Sequence, residues 1–252
     1  MNKIDIYIND KPYLVEKGRI LIEICRELDI FIPSLCYFPG NNSFAGCRLC
    51  IVEIRNGNRY KLVASCEYPI NKTEKFYTDS ERVKNSRRLS AELLLARVPS
   101  AQEFLQDIIQ QPLERIFEPI ESQNDKCLLC GLCYRACSKF GPNAISVSGR
   151  GVLKAVTTPY NEANPACIAC GICAEICPTN AIKMKEDEKS RTIWQQRSDL
   201  IVCPKCGKKH ITIKTWQFLT EELGLPPEEM LLCDECRKLT IAQSMLTGFR
   251  KH

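Results

Sequence analysis

Histidine is almost missing from this chain: two residues in 252, His210 and His252. That leaves little from which to build an imidazole-based catalytic centre. No Gly-x-Gly-x-x-Gly fingerprint and no P-loop occur, so neither a Rossmann nucleotide site nor a phosphate-cradling loop is in view. No apolar run approaches the roughly 18 residues needed to cross a bilayer. The opening MNKIDIYIND alternates apolar and polar residues and lacks the apolar stretch of a secretory signal. Low-complexity segments are missing too. These absences lead us to expect a cytoplasmic protein, in which thiols serve as ligands rather than disulfide partners.

Cysteine is what the chain has in excess, at seventeen residues. The stretch CLLCGLCYRAC, Cys127 to Cys137, is echoed by CIACGICAEIC, Cys167 to Cys177. In C-x2-C-x2-C, three thiolates can converge on one cubane while Gly131 or Gly171 lets the backbone wrap closely. The next cysteine points elsewhere. The pattern resembles two-cluster bacterial ferredoxins, in which that residue ligates the other cluster. Carried over, one 4Fe-4S cluster would be held by Cys127, Cys130, Cys133 and Cys177. The other would be held by Cys137, Cys167, Cys170 and Cys173.

The repeat continues past the thiols, with GPNAISV after the first motif and PTNAIKM after the second, each a turn into a short strand. Leu128, Leu129, Leu132, Ile168, Ile172 and Ile176 would wall the clusters off from water. One departure stands out. The second motif closes Cys177-Pro178, the first Cys137-Ser138, and loss of the proline is expected to loosen that turn without removing a ligand.

Ahead of this repeat, residues 2–17 alternate at period two about Asn9-Asp10, a hairpin signal. RILIEICRELDI follows with Ile20, Leu21, Ile24 and Leu28 at helical spacing, and Cys25 inside it reads as a buried apolar thiol. IVEIRNGNRYKLVAS reads as two strands about an Asn-Gly turn. These elements make a β-grasp domain in which Cys36, Cys47, Cys50 and Cys66 are spaced C-x10-C-x2-C-x15-C. The plant-type 2Fe-2S pattern has a shorter first interval, but a cysteine loop after the first helix suits a 2Fe-2S centre; zinc is the alternative. Thr78-Asp-Ser-Glu81 reads as a capping box before a helix that Pro99 ends, and Ser100-Ala-Gln-Glu103 as a second. KMKEDEKSRT, 183–192, reads as a charged linker.

The IPSLC lead-in, the GCRLCIVEI core and the ASC close resemble the electron-input iron–sulfur subunits of respiratory complex I (the 75-kilodalton type) and of NAD-reducing and electron-bifurcating hydrogenases. With the ELLL helix and the cysteine repeat, the resemblance covers roughly residues 1–185. It implies a chain that relays electrons between a flavin subunit oxidising NADH and a downstream acceptor. Many relatives carry a further His-x3-Cys-x2-Cys-x5-Cys site after the ELLL helix. Here that place reads LLLARVPSAQEFLQDII, without the ligands, so the resemblance is nearer the small diaphorase-type subunit.

Toward the C-terminus, VCPKCGKKH and LLCDECRK place Cys203, Cys206, Cys233 and Cys236 as C-x2-C-x26-C-x2-C, a tetrahedral S4 set that most often holds structural zinc. A rubredoxin-like iron or another cluster are the alternatives. ITIKTW between the knuckles reads as strand and QFLTEELGL as helix, and His210 as a surface residue.

The expected architecture is α+β. It comprises a β-grasp 2Fe-2S ferredoxin domain (1–79), a short helical linker (80–120), a bacterial-type two-cluster 4Fe-4S ferredoxin domain (121–190) and a C-terminal zinc ribbon (198–252). The expected function is an electron-relay subunit of a soluble multisubunit NAD(P)H-linked flavin oxidoreductase, of hydrogenase, formate dehydrogenase or bifurcating transhydrogenase type. Its partners would be a flavin/NAD(P)H-binding subunit and a further catalytic redox subunit. The chain reads as having no substrate site of its own, with flavin and nicotinamide on those partners. Two other readings are a free-standing multi-cluster carrier and a zinc-dependent regulatory or nucleic-acid-binding protein. The net charge of +5 gives the last no support, because three anionic clusters and a thiolate-bound zinc would bring it to roughly −3. Neither nucleic acid nor membrane is expected as a partner.

Overall fold

The computed structural model describes residues 3–40, 43–121 and 124–249; His252 lies outside them. The chain divides into two compact units, Met1–Arg135 with Ser148–Ala155, and Ala136–Val147 with Val156–His252. Among the described residues no helix is long and apolar enough to cross a membrane.

The first unit opens with β1 (Lys3–Ile8) and β2 (Lys11–Glu16), paired antiparallel. Asn9 and Asp10 between them have φ of 51° and 63°, the type I′ geometry that matches strand twist and that these residue types tolerate. Helix α1 (Leu21–Glu27) follows. β3 (Ile51–Asn56) joins β4 (Arg59–Ala64) through Gly57-Asn58 rather than the expected Asn56-Gly57, since Asn56 pairs with Arg59 and Gly57 takes the positive φ of 58°; β5 is Lys75–Tyr77. The sheet order is β2-β1-β5-β3-β4, with β1 and β5 parallel, which is the β-grasp arrangement. Ile6, Ile8, Val52 and Phe76 of the sheet bury against Leu21 and Ile24 of α1.

Cys25 joins that core fully buried, and burial pushes its thiol up to about 12. It packs there as a small apolar side chain. Cys25→Ala is therefore expected to leave iron content and the visible spectrum unchanged while costing about 1 kcal/mol of stability, measurable by metal analysis and denaturant melts.

Helices α2 (Glu81–Arg97) and α3 (Gln102–Ile109) follow in this unit. Their caps differ from the sequence expectation. Ser80, not Thr78, caps α2, accepting from Val83 N–H at 3.4 Å, while Thr78 Oγ1 accepts from Asn9 Nδ2 at 2.8 Å. The Ser80 hydroxyl also donates to buried Glu53 at 2.6 Å, so the cap doubles as an anchor on β3. Ser100 sits in a 3₁₀ turn, Pro99–Ala101, and α3 has no side-chain cap.

The boundary between the units falls inside α4 (Leu132–Phe140). The remaining elements are β6 (Ser146–Ser148), β7 (Ala155–Thr157), α5 (Ile172–Glu175), β8 (Met184–Glu186), β9 (Ser190–Ile193), β10 (Gln196–Val202), β11 (Lys209–Thr212), α6 (Ile213–Gln217), α7 (Pro227–Leu231) and α8 (Asp234–Phe249). β6 pairs with β7, and β11-β10-β9-β8 form an antiparallel sheet.

Three sequence expectations are corrected here. Residues 183–192 form the β8–β9 hairpin rather than a linker, because Asp187 Oδ1 accepts from Lys189 and Ser190 N–H, both at 2.7 Å, and closes the turn. ITIKTW is strand only to Thr212, whose hydroxyl caps α6 by accepting from Thr215 N–H at 3.2 Å. Ser138 does not loosen a turn. Without the proline found at 178, α4 runs on to Phe140, whereas α5 stops at Glu175.

Candidate iron–sulfur and metal centres

Cys36, Cys47, Cys50 and Cys66 are all buried in the first unit. Cys50 directly precedes β3 and Cys66 follows β4, so strand pairing sets the distance between them. The loop before Cys50 bends through left-handed residues Ala45 (φ 47°) and Arg48 (φ 60°), turning backbone amides toward the sulfurs. The thiols bond in pairs, Cys36 with Cys47 and Cys50 with Cys66. In each pair one member is pushed up and the other down, Cys47 to about 6 and Cys66 to about 7. The partner thiol is the first cause in each case. Backbone amides of Leu49 and Leu35 add to the effect at Cys47, and the Ser43 hydroxyl, at 3.2 Å, adds to it at Cys66. One thiol of each pair is thereby shifted toward thiolate, the form that binds metal.

Two arginines brace this neighbourhood. Buried Arg87 on α2 donates through Nε and Nη2 to the Ile51 carbonyl, at 3.1 and 2.7 Å, next to Cys50. Arg135 donates to the carbonyls of both Cys36 and Gly131, at 3.1 Å for the latter, with its guanidinium over the Phe44 ring. Sequence reading missed both residues, since single arginines carry no spacing signal.

In the repeat, the first loop has Leu129 and Gly131 at φ 51° and 75°, and the second has Ala169 and Gly171 at 54° and 86°. Each puts left-handed residues on both sides of the middle cysteine and so wraps the backbone around one point. A Cβ at Gly131 would lie 2.8 Å from the Tyr134 hydroxyl, and one at Gly171 3.0 Å from Met184 Sδ. The repeat also begins earlier than the cysteines. Asn124 Oδ1 accepts from Lys126 N–H and Asn164 Oδ1 from Ala166 N–H, each at 3.0 Å. The Asn-x-x-Cys spacing was visible in the sequence and went unread.

Cys127, Cys130 and Cys133 lie in the first unit, and Cys130 packs on the apolar core that includes Cys36, Cys47 and Leu128. Arg97 donates to the Cys127 carbonyl at 3.0 Å. Cys177 lies in the second unit, its sulfur accepting from Ala181 N–H at 3.2 Å. Cys137 has a matching bond from Ala144 N–H at 3.3 Å. Within the second unit, Cys137, Cys167, Cys170 and Cys173 line one cavity with Ile145, Ile172 and other apolar groups. Burial is the main cause pushing up the thiols of Cys167, Cys170 and Cys173, the last to about 12. A buried apolar pocket whose polar atoms are four sulfurs fits a cubane, whose iron charge would offset that burial.

Cys203, Cys206, Cys233 and Cys236 bring their sulfurs within 4.8 Å of one another, Cys206 and Cys233 at 3.6 Å. Zinc–sulfur bonds of about 2.3 Å in a tetrahedron put sulfurs about 3.8 Å apart, so the four fit one ion. The first knuckle is the β10–β11 turn, with Gly207 N–H on the Cys203 carbonyl at 2.9 Å. Backbone amides, that of Cys233 foremost, bring the Cys203 thiol down to about 6. His210 is half-buried on β11 rather than a surface residue.

Residues 1–81 match the family of 2Fe-2S iron–sulfur cluster binding domains, and residues 121–184 the family of 4Fe-4S dicluster domains. The chain is therefore an iron–sulfur protein with both 2Fe-2S and 4Fe-4S ferredoxin-type domains. Its relatives are subunits of NAD(P)H-linked hydrogenase or oxidoreductase complexes. It is 38% identical over 104 residues to the NADP-reducing hydrogenase subunit HndD of Solidesulfovibrio fructosivorans, covering 39% of this chain and 17% of that one. It is 26% identical over 228 residues to the NADPH-Fe(3+) oxidoreductase subunit alpha of Geobacter sulfurreducens, covering 81% of this chain and 27% of that one. It is 30% identical over 96 residues to the NADH-ubiquinone oxidoreductase 75 kDa subunit of Reclinomonas americana, covering 38% and 14%. The chain thus spans under a third of each of these relatives. In fold it is similar to a chain of an NAD+-reducing [NiFe]-hydrogenase in the H2-reduced state, with a TM-score of 0.58 at 23% identity, covering 71% of this chain and 86% of that one.

Proposed function

We propose that this chain is the electron-relay subunit of a cytoplasmic NAD(P)H-linked flavin oxidoreductase, passing single electrons between a flavin subunit and a further redox subunit. Cys36, Cys47, Cys50 and Cys66 would hold a 2Fe-2S cluster. Cys127, Cys130, Cys133 and Cys177 would hold one 4Fe-4S cluster, and Cys137, Cys167, Cys170 and Cys173 the other. Such clusters, when bound, supply one-electron redox chemistry with little rearrangement. The chain's own residues supply thiolates, aim amides at them and exclude water. The C-terminal four would hold zinc as a structural ion. The ranges 1–79, 80–120, 121–190 and 198–252 are the corresponding domains.

One observation carries the relay reading over that of independent centres. Cysteines of the N-terminal set, Cys36 and Cys47, and Cys130 of the first repeat pack on one apolar core, with Arg135 bonded to backbone beside each set. Centres built on a shared core would be neighbours, the arrangement that electron exchange between them needs.

The test is anaerobic purification of the native assembly, with metal, sulfide and flavin analysis. The expected result is about ten irons and as much acid-labile sulfide per chain, one zinc, a flavin-containing partner, and paramagnetic signals developing on NAD(P)H addition. A preparation with no acid-labile sulfide, or one that holds clusters but comes alone and ignores NAD(P)H beside its neighbours' gene products, would overturn the proposal.

A further inference from the structure

Trp194 stands where a bulky side chain is out of place. It begins the two-residue turn joining β9 to β10, with φ of 52°, followed by Gln195 at 63°. That type I′ geometry belongs to Asn-Gly or Gly-Gly pairs, and a tryptophan in the left-handed region is an outlier that its surroundings must hold in place. The backbone conformation brings the indole to the cavity of Cys137, Cys167, Cys170 and Cys173, which Trp194 and Ile193 help to line. Nε1–H donates to Cys173 Sγ at 3.3 Å.

The neighbouring contacts hold this arrangement. From β9, Arg191 Nη1 donates to the Cys170 carbonyl at 3.0 Å, while its Nε pairs with Glu186 of β8 at 2.7 Å. The hydroxyls of Thr212 and Thr215 donate to the Ile168 carbonyl at 2.8 and 2.9 Å. Apart from Met184 at its start, the β8–β11 sheet lies beyond residue 184, where the match to the dicluster family ends.

We propose that this sheet is a cover for the second four-cysteine site and that Trp194 tunes the centre held there. The proposal rests on the reading that those four thiols hold a 4Fe-4S cluster. An N–H donated to a ligand sulfur stabilises the more negative, reduced state above the oxidised one, and so raises the reduction potential. The ring itself closes the apolar wall against water.

Trp194→Phe keeps an aromatic ring and deletes the donor. In the anaerobic full-length chain, titration followed by paramagnetic resonance is expected to show one cubane harder to reduce. Its reduction equilibrium should fall about tenfold, about 59 mV for one electron, with the other centres unmoved and iron content unchanged. Unchanged potentials would overturn the proposal. Should the variant lose iron, the wild type decides: with ¹⁵N-indole label, double resonance on the reduced protein is expected to find nitrogen coupled to one cubane, and its absence overturns the proposal. The only other tryptophan, Trp216, donates to the Pro227 carbonyl at 3.3 Å and does not confuse the assignment. Cys170→Ala checks the underlying reading separately, since it must cost about four irons if that site holds a cubane at all.

Discussion

Stripping the zinc proposed for the C-terminal four-cysteine site is expected to unfold residues 228–249 while leaving iron content unchanged. Among the described residues, the buried cluster of this region is Cys203, Cys233 and Cys236, with Leu232 packed against them, and Met230 of α7 is also buried. Three of the four proposed ligands thus make up that cluster. The side-chain ties of α8 to the first knuckle are solvent-exposed, Lys205 to the Thr240 hydroxyl at 2.8 Å and the Lys208–Glu235 pair at 3.1 Å, and exposed ties of this kind contribute little. Zinc in a comparable thiolate site contributes about 10–16 kcal/mol to folding. Chelation should therefore lower hydrogen-exchange protection in α7 and α8 by at least about a thousandfold. Retained protection after complete metal removal would show that side-chain packing alone holds the segment.

The second large effect is expected from Cys47→Ser. It should remove the N-terminal centre outright, about two irons per chain, with the cubane signals retained. Cys47 is buried in the core that also contains Cys36, Leu49 and Leu95. Its thiol is brought down to about 6 by Cys36 and by surrounding amides, toward the thiolate that binds metal. A serine hydroxyl ionises far above that range and leaves the amides aimed at a neutral oxygen. The loss should extend to stability, at about 2 kcal/mol or more from burying a poorly partnered polar group. Denaturant melts under anaerobic conditions, with iron analysis of the same sample, measure both effects. Full iron content in the variant would remove Cys47 from the ligand set.

Much of this was legible in the sequence because the responsible signals are local. Asn9-Asp10 announces its hairpin, and Gly57 announces the next to within one residue, since those residue types accept positive φ readily. The cysteine spacings announce loops that curl around one point. What stayed hidden depends on contacts far along the chain. Thr78 satisfied the capping pattern as well as Ser80 did, and only the bonds from Ser80 to Glu53 and from Asn9 to Thr78 decide between them. The β8–β9 hairpin looked like a charged tether, because Lys185, Glu186 and Glu188 mask the burial of Ser190 and Ile193. The turn at Trp194-Gln195 contains neither asparagine nor glycine, and so gave no signal at all.

The assignment of residues 148–155 to the first unit, between two segments of the second, means that the chain changes unit three times. No single cut therefore releases either unit whole. A recombination event with one crossover would hand a descendant two incomplete pieces, so inheritance of this architecture favours transfer of the full span.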